Sequence, residues 1–301
     1  MTIAQLKNFC DLSTALLGLK QSAILVGDAL TILKAIPEAT FACCVTSPPY
    51  WGLRDYGIPH QIGAEAELED YISNLVAVFR EVRRTLKEDG TLWLNIGDSY
   101  TSGNRKWRDT DDKNPARAMD YRPPTPRGLK PKDMIGVPWR LAFALQADGW
   151  YLRADIIWHK PNCQPESVKD RPTRSHEYVF LLSKSKHYHY DHESVLEPSA
   201  SQGKPRNLRT VWSINTEAFP EAHFATFPPA LVEPCVKAGS RRGDFLLDPF
   251  FGAGTVGLVC MRMKRRILGI ELNPEYAEIA RSRLGDELPL WNTQSLDSYR
   301  S

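Results

Sequence analysis

The sequence predicts an α/β protein built on a mostly parallel twisted sheet with helices on both faces. Short apolar runs rich in β-branched and aromatic residues alternate with segments of helical periodicity. A strand–glycine turn–helix–strand–helix unit stands near the end of the chain. The length of 301 residues, with 42% hydrophobic and 25% charged residues, suffices for a full core in one large or two modest domains.

Taken in order, residues 1–22 read as an entry segment with a short helix. Ala23-Ile24-Leu25-Val26 reads as a strand closed by Gly27-Asp28, and residues 29–36 as a helix stopped by Pro37. Residues 41–45 read as a buried strand that ends abruptly at Ser47-Pro48-Pro49-Tyr50-Trp51. Neither proline donates a backbone hydrogen bond, and Ser47, preceding one, is driven extended. The result is a stiff strand end carrying a hydroxyl, carbonyls and two aromatic rings. Such a surface suits a flat molecule with an amino group, as nucleobases are.

Residues 67–87 show strong helical periodicity in Leu68, Tyr71, Ile72, Leu75, Val78, Phe79, Val82 and Leu86, ended by Asp89-Gly90. Residues 91–96 read as the next strand. The pattern then breaks over residues 99–132, where Arg105, Lys106, Arg108, Arg122 and Arg127 stand among aspartates, prolines, Trp107 and Tyr121. Basic residues mixed with aromatics over so long a loop fit a nucleic-acid contact. A helix is expected over 134–146, and strands over 151–159 and 177–182. The stretch 183–223 is polar, with Arg206 and Arg209.

Residues 245–250 read as a strand running into Phe251-Gly252-Ala253-Gly254-Thr255-Val256-Gly257 and a helix through about Arg262. A strand ending in Glu271 follows. Asn273 then serves as N-cap and Pro274 as first helical residue of a helix to about Leu284. The glycines let backbone N–H groups approach a ligand at a helix N-terminus, and Glu271 suits the hydroxyls of a ribose. The glycine spacing also matches the dinucleotide fingerprint. Against a nicotinamide enzyme stand Asp248, whose carboxylate would repel a pyrophosphate, the late position of the unit, and the unexplained Ser47-Pro48-Pro49-Tyr50. A cofactor with ribose and adenine but no phosphate, S-adenosylmethionine, fits better.

Thr46-Ser47-Pro48-Pro49-Tyr50-Trp51 together with Asp248-Pro249-Phe250-x-Gly252-x-Gly254-Thr255 resembles the amino-methylating DNA methyltransferases of the circularly permuted β class. The resemblance implies a Rossmann-like S-adenosylmethionine-dependent fold with permuted motif order and DNA-recognition insertions. It makes residues 1–98 the catalytic half, 99–133 a basic DNA-contacting insert and 134–182 the continuation of the domain. Residues 183–223 become the target-recognition region and 224–301 the cofactor half. Ser47, Pro48, Pro49 and Tyr50 are the implied catalytic residues. Asp28, Thr46, Phe227, Asp248, Phe250, Gly252, Gly254, Thr255, Glu271 and Asn273 are the implied cofactor residues. The DNA-contact candidates are Trp51, Arg105, Lys106, Arg108, Arg122, Arg127, Lys160, Arg171, Arg174, Arg206 and Arg209.

Within that family a Ser before Pro-Pro-Tyr goes mainly with N4 of cytosine, and Asp or Asn with N6 of adenine. N4-cytosine is therefore the expected target, with N6-adenine, and then RNA, as alternatives. Cys235 offers a nucleophile for 5-methylcytosine chemistry, but on an expected helix rather than at the strand end. Double-stranded DNA is the implied partner, along with a cognate restriction endonuclease, for a monomer or homodimer in the cytoplasm. The net charge of +2 makes any nucleic-acid footprint local. No run approaches ~20 apolar residues, so no membrane span is expected. The six cysteines form no C-x-x-C pair, and no metal site is expected. The alternation around His187 and His189 reads as one face of a strand.

Overall fold

The computed structural model describes residues 2–5, 22–53, 58, 61–101, 123–199, 203–217 and 227–287. Its strands are β1 (Thr2–Gln5), β2 (Ala23–Val26), β3 (Phe41–Thr46), β4 (Leu86–Ile96), β5 (Tyr151–His159), β6 (His176–Ser183), β7 (Val211–Ser213), β8 (Phe245–Asp248) and β9 (Arg266–Glu271). Its helices are α1 (Ala29–Ala35), α2 (Leu68–Thr85), α3 (Val137–Ala147), α4 (Pro229–Gly239), α5 (Thr255–Arg262) and α6 (Pro274–Glu287). One nine-stranded sheet runs β1-β2-β9-β8-β3-β4-β6-β5-β7. Only β6 is antiparallel to its neighbours.

The period-2 alternation of the strands divides the core into two layers. Leu92, Leu94 and Ile96 of β4, with Phe245 and Leu247 of β8 and Leu268 and Ile270 of β9, pack against α1, α2 and α3. Trp93, Leu246 and Ile267 point the other way, toward α4, α5 and α6. Helix α2 seats Leu68, Tyr71, Leu75, Val78, Phe79 and Val82 on that first face, a stripe at helical spacing. Each such fully buried large apolar side chain contributes about 1.5–3 kcal/mol. Strand β3 is buried along its whole length, as a central strand covered on both faces must be.

Three boundaries differ from the sequence expectation. Strand β4 begins at Leu86 rather than at 91. Leu86 pairs with Phe41, the register then jumps to Cys43 against Thr91, and residues 87–90 bulge between. Gly90 permits this, because a Cβ there would lie 2.9 Å from the Lys87 carbonyl. Helix α3 starts at Val137 rather than 134, since Gly136 sits in the left-handed region as N-cap and Met134 bridges Tyr100. Gly136 has no capping side chain. Asp98 supplies one from the end of β4, accepting from the N–H groups of Gly136 (2.9 Å) and Val137 (3.0 Å). Residues 184–190 are not a strand. Ser183 and Ser185 fold them into a turn through bonds to the Ser185 and His187 carbonyls.

Candidate active site

Strands β2, β9, β8, β3 and β4 are parallel, so their carboxyl ends share one edge. Val26 pairs with Glu271, Asp248 with Gly269, Cys44 with Leu247 and Thr46 with Leu94. That register sets Asp28, Glu271, the 249–254 loop and Ser47-Pro48-Pro49-Tyr50 side by side, at the edge where parallel sheets bind ligands. The first and last thirds of the chain thus meet in adjacent strands, as the permuted motif order requires.

The loop after β3 is fastened from beneath. The Thr46 hydroxyl donates to Asp248 Oδ1 (2.6 Å), joining β3 to β8 across 202 residues of chain. The Tyr71 hydroxyl on α2 donates to the Pro49 carbonyl (2.8 Å). Trp51 is 5% exposed, and its indole N–H donates to the Glu65 carbonyl (2.9 Å). This corrects the expectation that Trp51 contacts DNA: its ring belongs to the core and holds the loop down.

The Tyr50 hydroxyl donates to Glu177 Oε2 (2.8 Å), with Asn95 Oδ1 farther off at 3.4 Å. Burial first, and then the Glu177 charge, push the Tyr50 phenol well above the usual tyrosine range, so it keeps its proton at neutral pH. Gly97 makes room for this arrangement, because a Cβ there would lie 2.8 Å from Tyr50 Cε2 and 3.2 Å from Glu177 Cδ. Glu177 also pairs with Lys160, both side chains being 17% exposed. The Lys160 ammonium lies 4.1 Å from the Trp158 ring centroid.

Glu271 organises the loop after β8. Its two oxygens accept from the N–H groups of Gly252 (2.7 Å) and Asn273 (2.9 Å). Burial raises this carboxyl above the usual range, against the pull of those N–H donors. Asn273 caps α6 through Glu275 N–H (2.9 Å), and Asp28 caps α1 through Thr31 N–H (2.8 Å). Thr255 is buried and accepts from Arg283 (3.0 Å). Phe250 meets Phe79 edge to face, and Phe227 packs part-buried at the foot of α4. Asp248 is 1% exposed, and burial lifts its carboxyl to about 7.

The third glycine has a different task from the one its spacing suggested. A Cβ at Gly257 would lie 2.6 Å, and one at Gly269 2.4 Å, from the ring of Phe251. These glycines admit a buried phenylalanine under the loop; it is Gly254, at φ +75°, that turns the chain into α5.

The basic candidates divide by exposure. Arg105, Lys106, Arg108 and Arg122 lie outside the described residues. Lys160 and Arg174 are enclosed, paired with Glu177 and with Asp98 (3.7 Å), so they brace the site rather than face solvent. Arg171 pairs with Glu166 (2.6 Å) and stacks on Tyr100 at 3.9 Å. Arg206 and Arg209 share Glu197, the latter with 66% of its side chain exposed. Solvent screens such pairs, so neither arginine is held tightly in place. Arg127 is exposed. Cys235 is buried, its thiol donates to the Leu231 carbonyl (3.4 Å), and burial pushes it well above the usual thiol range, the opposite of an activated nucleophile.

Sequence reasoning had assigned no role to Glu177, Asn95, Tyr71, Gly97 or Phe251. Tyr71 was visible only as one member of an apolar stripe, and Glu177 only as part of a strand.

Comparison with known proteins agrees with the geometry. The chain is 66% identical over 268 residues to the Type II methyltransferase M.SmaI of Serratia marcescens, covering 89% of this chain and 92% of that protein. It is 60% identical over 271 residues to the Type II methyltransferase M.Cfr9I of Citrobacter freundii, covering 90% of each. Among solved structures, TTHA0409 of Thermus thermophilus, determined with S-adenosyl-L-methionine, superposes with a TM-score of 0.62 at 28% identity, covering 89% of this chain and 95% of that one. The cytosine-N4-specific PvuII DNA methyltransferase shares the fold, with a TM-score of 0.65 at 20% identity over 89% of this chain and 92% of that one. A family model described as DNA methylase matches residues 41–282. With Ser47-Pro48-Pro49-Tyr50, the glycine loop, Asp248 and Glu271 all inside that match, the chain belongs to the DNA methylase family.

Proposed function

We propose that the protein transfers a methyl group from S-adenosylmethionine to the exocyclic N4 amine of cytosine in duplex DNA, by direct in-line displacement. The observation that carries this reading is the position of Ser47. It ends a rigid, proline-stopped strand, and the residue before it is hydrogen-bonded to the cofactor strand. The fold matches that of a protein determined with S-adenosyl-L-methionine. The residues present fit that cofactor. Each Glu271 oxygen accepts one backbone N–H and retains a second lone pair for a ribose hydroxyl. Asp28 stands one strand away, and Phe227 and Phe250 supply aromatic walls for an adenine.

When bound, the cofactor supplies an electrophilic methyl group. The chain's own part is positioning. An exocyclic amine is a poor nucleophile because its lone pair is delocalised into the ring. Ser47 Oγ accepts one of its N–H groups and the Pro48 carbonyl the other, which concentrates electron density on nitrogen. The Pro49 carbonyl already accepts from Tyr71, which holds the loop beside Pro48 in place. The Tyr50 ring, set over Gly97, stacks on a base extruded from the duplex. Arg127, Arg206 and Arg209 hold phosphates, together with the insert between 99 and 132. The similarity to Type II methyltransferases supports a restriction–modification setting with a cognate endonuclease.

Nucleoside mass spectrometry of duplex DNA treated with protein and methyl-labelled cofactor tests the reading. Labelled N4-methylcytosine is expected, and its formation should fall about 100-fold or more in Ser47→Ala. Labelled N6-methyladenine alone would overturn the base assignment. Undiminished transfer by Ser47→Ala would overturn the role of Ser47.

A further inference from the structure

The loop between β8 and α5 is held from two sides by β9 and the helix that follows it. From the end of β9, Glu271 accepts from the Gly252 N–H (2.7 Å). From α6, Arg283 donates through a single nitrogen, Nη1, to the Ala253 carbonyl (3.1 Å) and to the Thr255 hydroxyl (3.0 Å). Those two acceptors flank Gly254, which turns in the left-handed region at φ +75°. Oxygens on either side of such a turn share one donor only while the turn keeps its shape. Helix α6 is placed to bring the arginine there. Ala280, Arg283 and Leu284 stand at i, i+3 and i+4, on one face of the helix. A Cβ on Gly254 would lie 3.0 Å from Ala280 Cβ and 3.5 Å from Leu284 Cδ1, so the face that carries Arg283 is the face packed on the turn. Ala280 and Leu284 are buried and serve that packing. The guanidinium adds hydrogen bonds from a charged donor, the stronger kind.

We infer that Arg283 is a positioning residue for the cofactor: it clamps the turn from Ala253 to Thr255 in the shape that receives S-adenosylmethionine. Glu271 fixes the first part of the loop through Gly252, and Arg283 fixes the last part. The loop is then ordered before the cofactor arrives, and binding does not bear the cost of ordering it. Arg283 acts on cofactor affinity and leaves the transfer step alone. The inference rests on the reading that this loop holds the cofactor.

Arg283→Met keeps an aliphatic stem and removes both bonds. The dissociation constant for S-adenosylmethionine, measured by calorimetry without DNA, should rise about tenfold. The single-turnover methylation rate at saturating cofactor, and duplex affinity without cofactor, should stay within about twofold of wild type. In the free protein the N–H groups of Gly252 and Gly254 should exchange with deuterium about tenfold faster, while Leu246 and Leu247 in β8 stay as protected as before. A general weakening of the fold would speed both sets. Arg281→Met controls for the lost charge. Arg281 lies on the same helix, pairs with Glu278 and has 44% of its side chain exposed, and its replacement should leave cofactor affinity at the wild-type level.

A rise of less than about threefold in the dissociation constant of Arg283→Met, or an equal rise in Arg281→Met, overturns the inference. Slowed transfer at saturating cofactor, or faster exchange spread over β8, does the same. Should Arg283→Met not fold, Arg283→Lys decides, because its ammonium ends one bond short of both oxygens. A loss of about threefold or more there supports the clamp, and a smaller one refutes it. Glu271→Ala keeps the two readings apart. Wild-type affinity there removes the loop as the cofactor site. Weakened affinity there, beside an unaffected Arg283→Met, removes only the clamp.

Discussion

Replacing Asp248 with asparagine should stabilise the fold at neutral and alkaline pH. Asp248 is almost wholly buried, and one of its oxygens, Oδ1, receives both the Thr46 hydroxyl (2.6 Å) and the Phe250 N–H (3.1 Å). Those two donors lower the carboxyl, but burial outweighs them and lifts it from 3.8 to about 7. Between those values the folded state holds a proton that the unfolded chain has released. Stability contributed by the group is therefore full below about pH 4 and is lost as pH rises through about 7, at about 1.4 kcal/mol per pH unit. Over the roughly three units between them the loss is on the order of 4 kcal/mol, an upper bound. Asparagine keeps Oδ1 for both donors, places NH2 where the acid carries its proton, and never ionises. Urea unfolding of both proteins at about pH 5 and about pH 8 measures the effect through the difference between them, which cancels every other titrating group. Asparagine should gain stability relative to wild type by up to about 3 kcal/mol between those two pH values. A difference independent of pH, or one that grows toward acid, would refute the burial argument. Cofactor binding should weaken in the same variant, since a site that takes a cationic sulfonium and ammonium loses a carboxylate beside it.

Two further outcomes follow from the cofactor loop. Glu271→Ala removes the acceptor for a ribose and also the brace on Gly252 and Asn273. Cofactor affinity by calorimetry should fall at least about tenfold, as the loss of a charge-assisted hydrogen bond requires, and wild-type affinity would remove the ribose assignment. Gly269→Ala drives a methyl group to within 2.4 Å of the Phe251 ring, which has no room to withdraw. Thermal or urea unfolding should show a loss of about 1–3 kcal/mol, and unchanged stability would mean that the ring is not wedged there.

Legibility in the sequence followed the range of the interaction that fixes each feature. The stop after β3 is local: two prolines enforce it whatever surrounds them, and the strand ends at Thr46, directly before Ser47. The cap at Asn273 is local in the same way, with its acceptor two residues from its donor. The reversed direction of β6 left no mark, because a buried apolar run reads alike in either orientation. Trp51 looked like a surface aromatic because its partner, Glu65, lies across a loop that no periodicity describes.

Charged residues mislead most, and for one reason. A lysine or arginine in a polar stretch reads as a ligand contact until its counter-charge is found, and that counter-charge is often distant. Asp98 lies 76 residues from Arg174 along the chain and Glu177 lies 17 from Lys160, yet each pair closes around the active site. Burying a charge is tolerated only when it is paired and hydrogen-bonded, so an enclosed pair beside a catalytic residue needs a reason to be there. Glu177 has such a reason within reach of its own oxygens. Its neighbours arrive on separate segments, Tyr50 after β3, Asn95 from β4 and Lys160 after β5, and they meet only because the sheet runs β3-β4-β6-β5. The strand order, rather than any motif, is what brings Glu177 to the phenol of Tyr50.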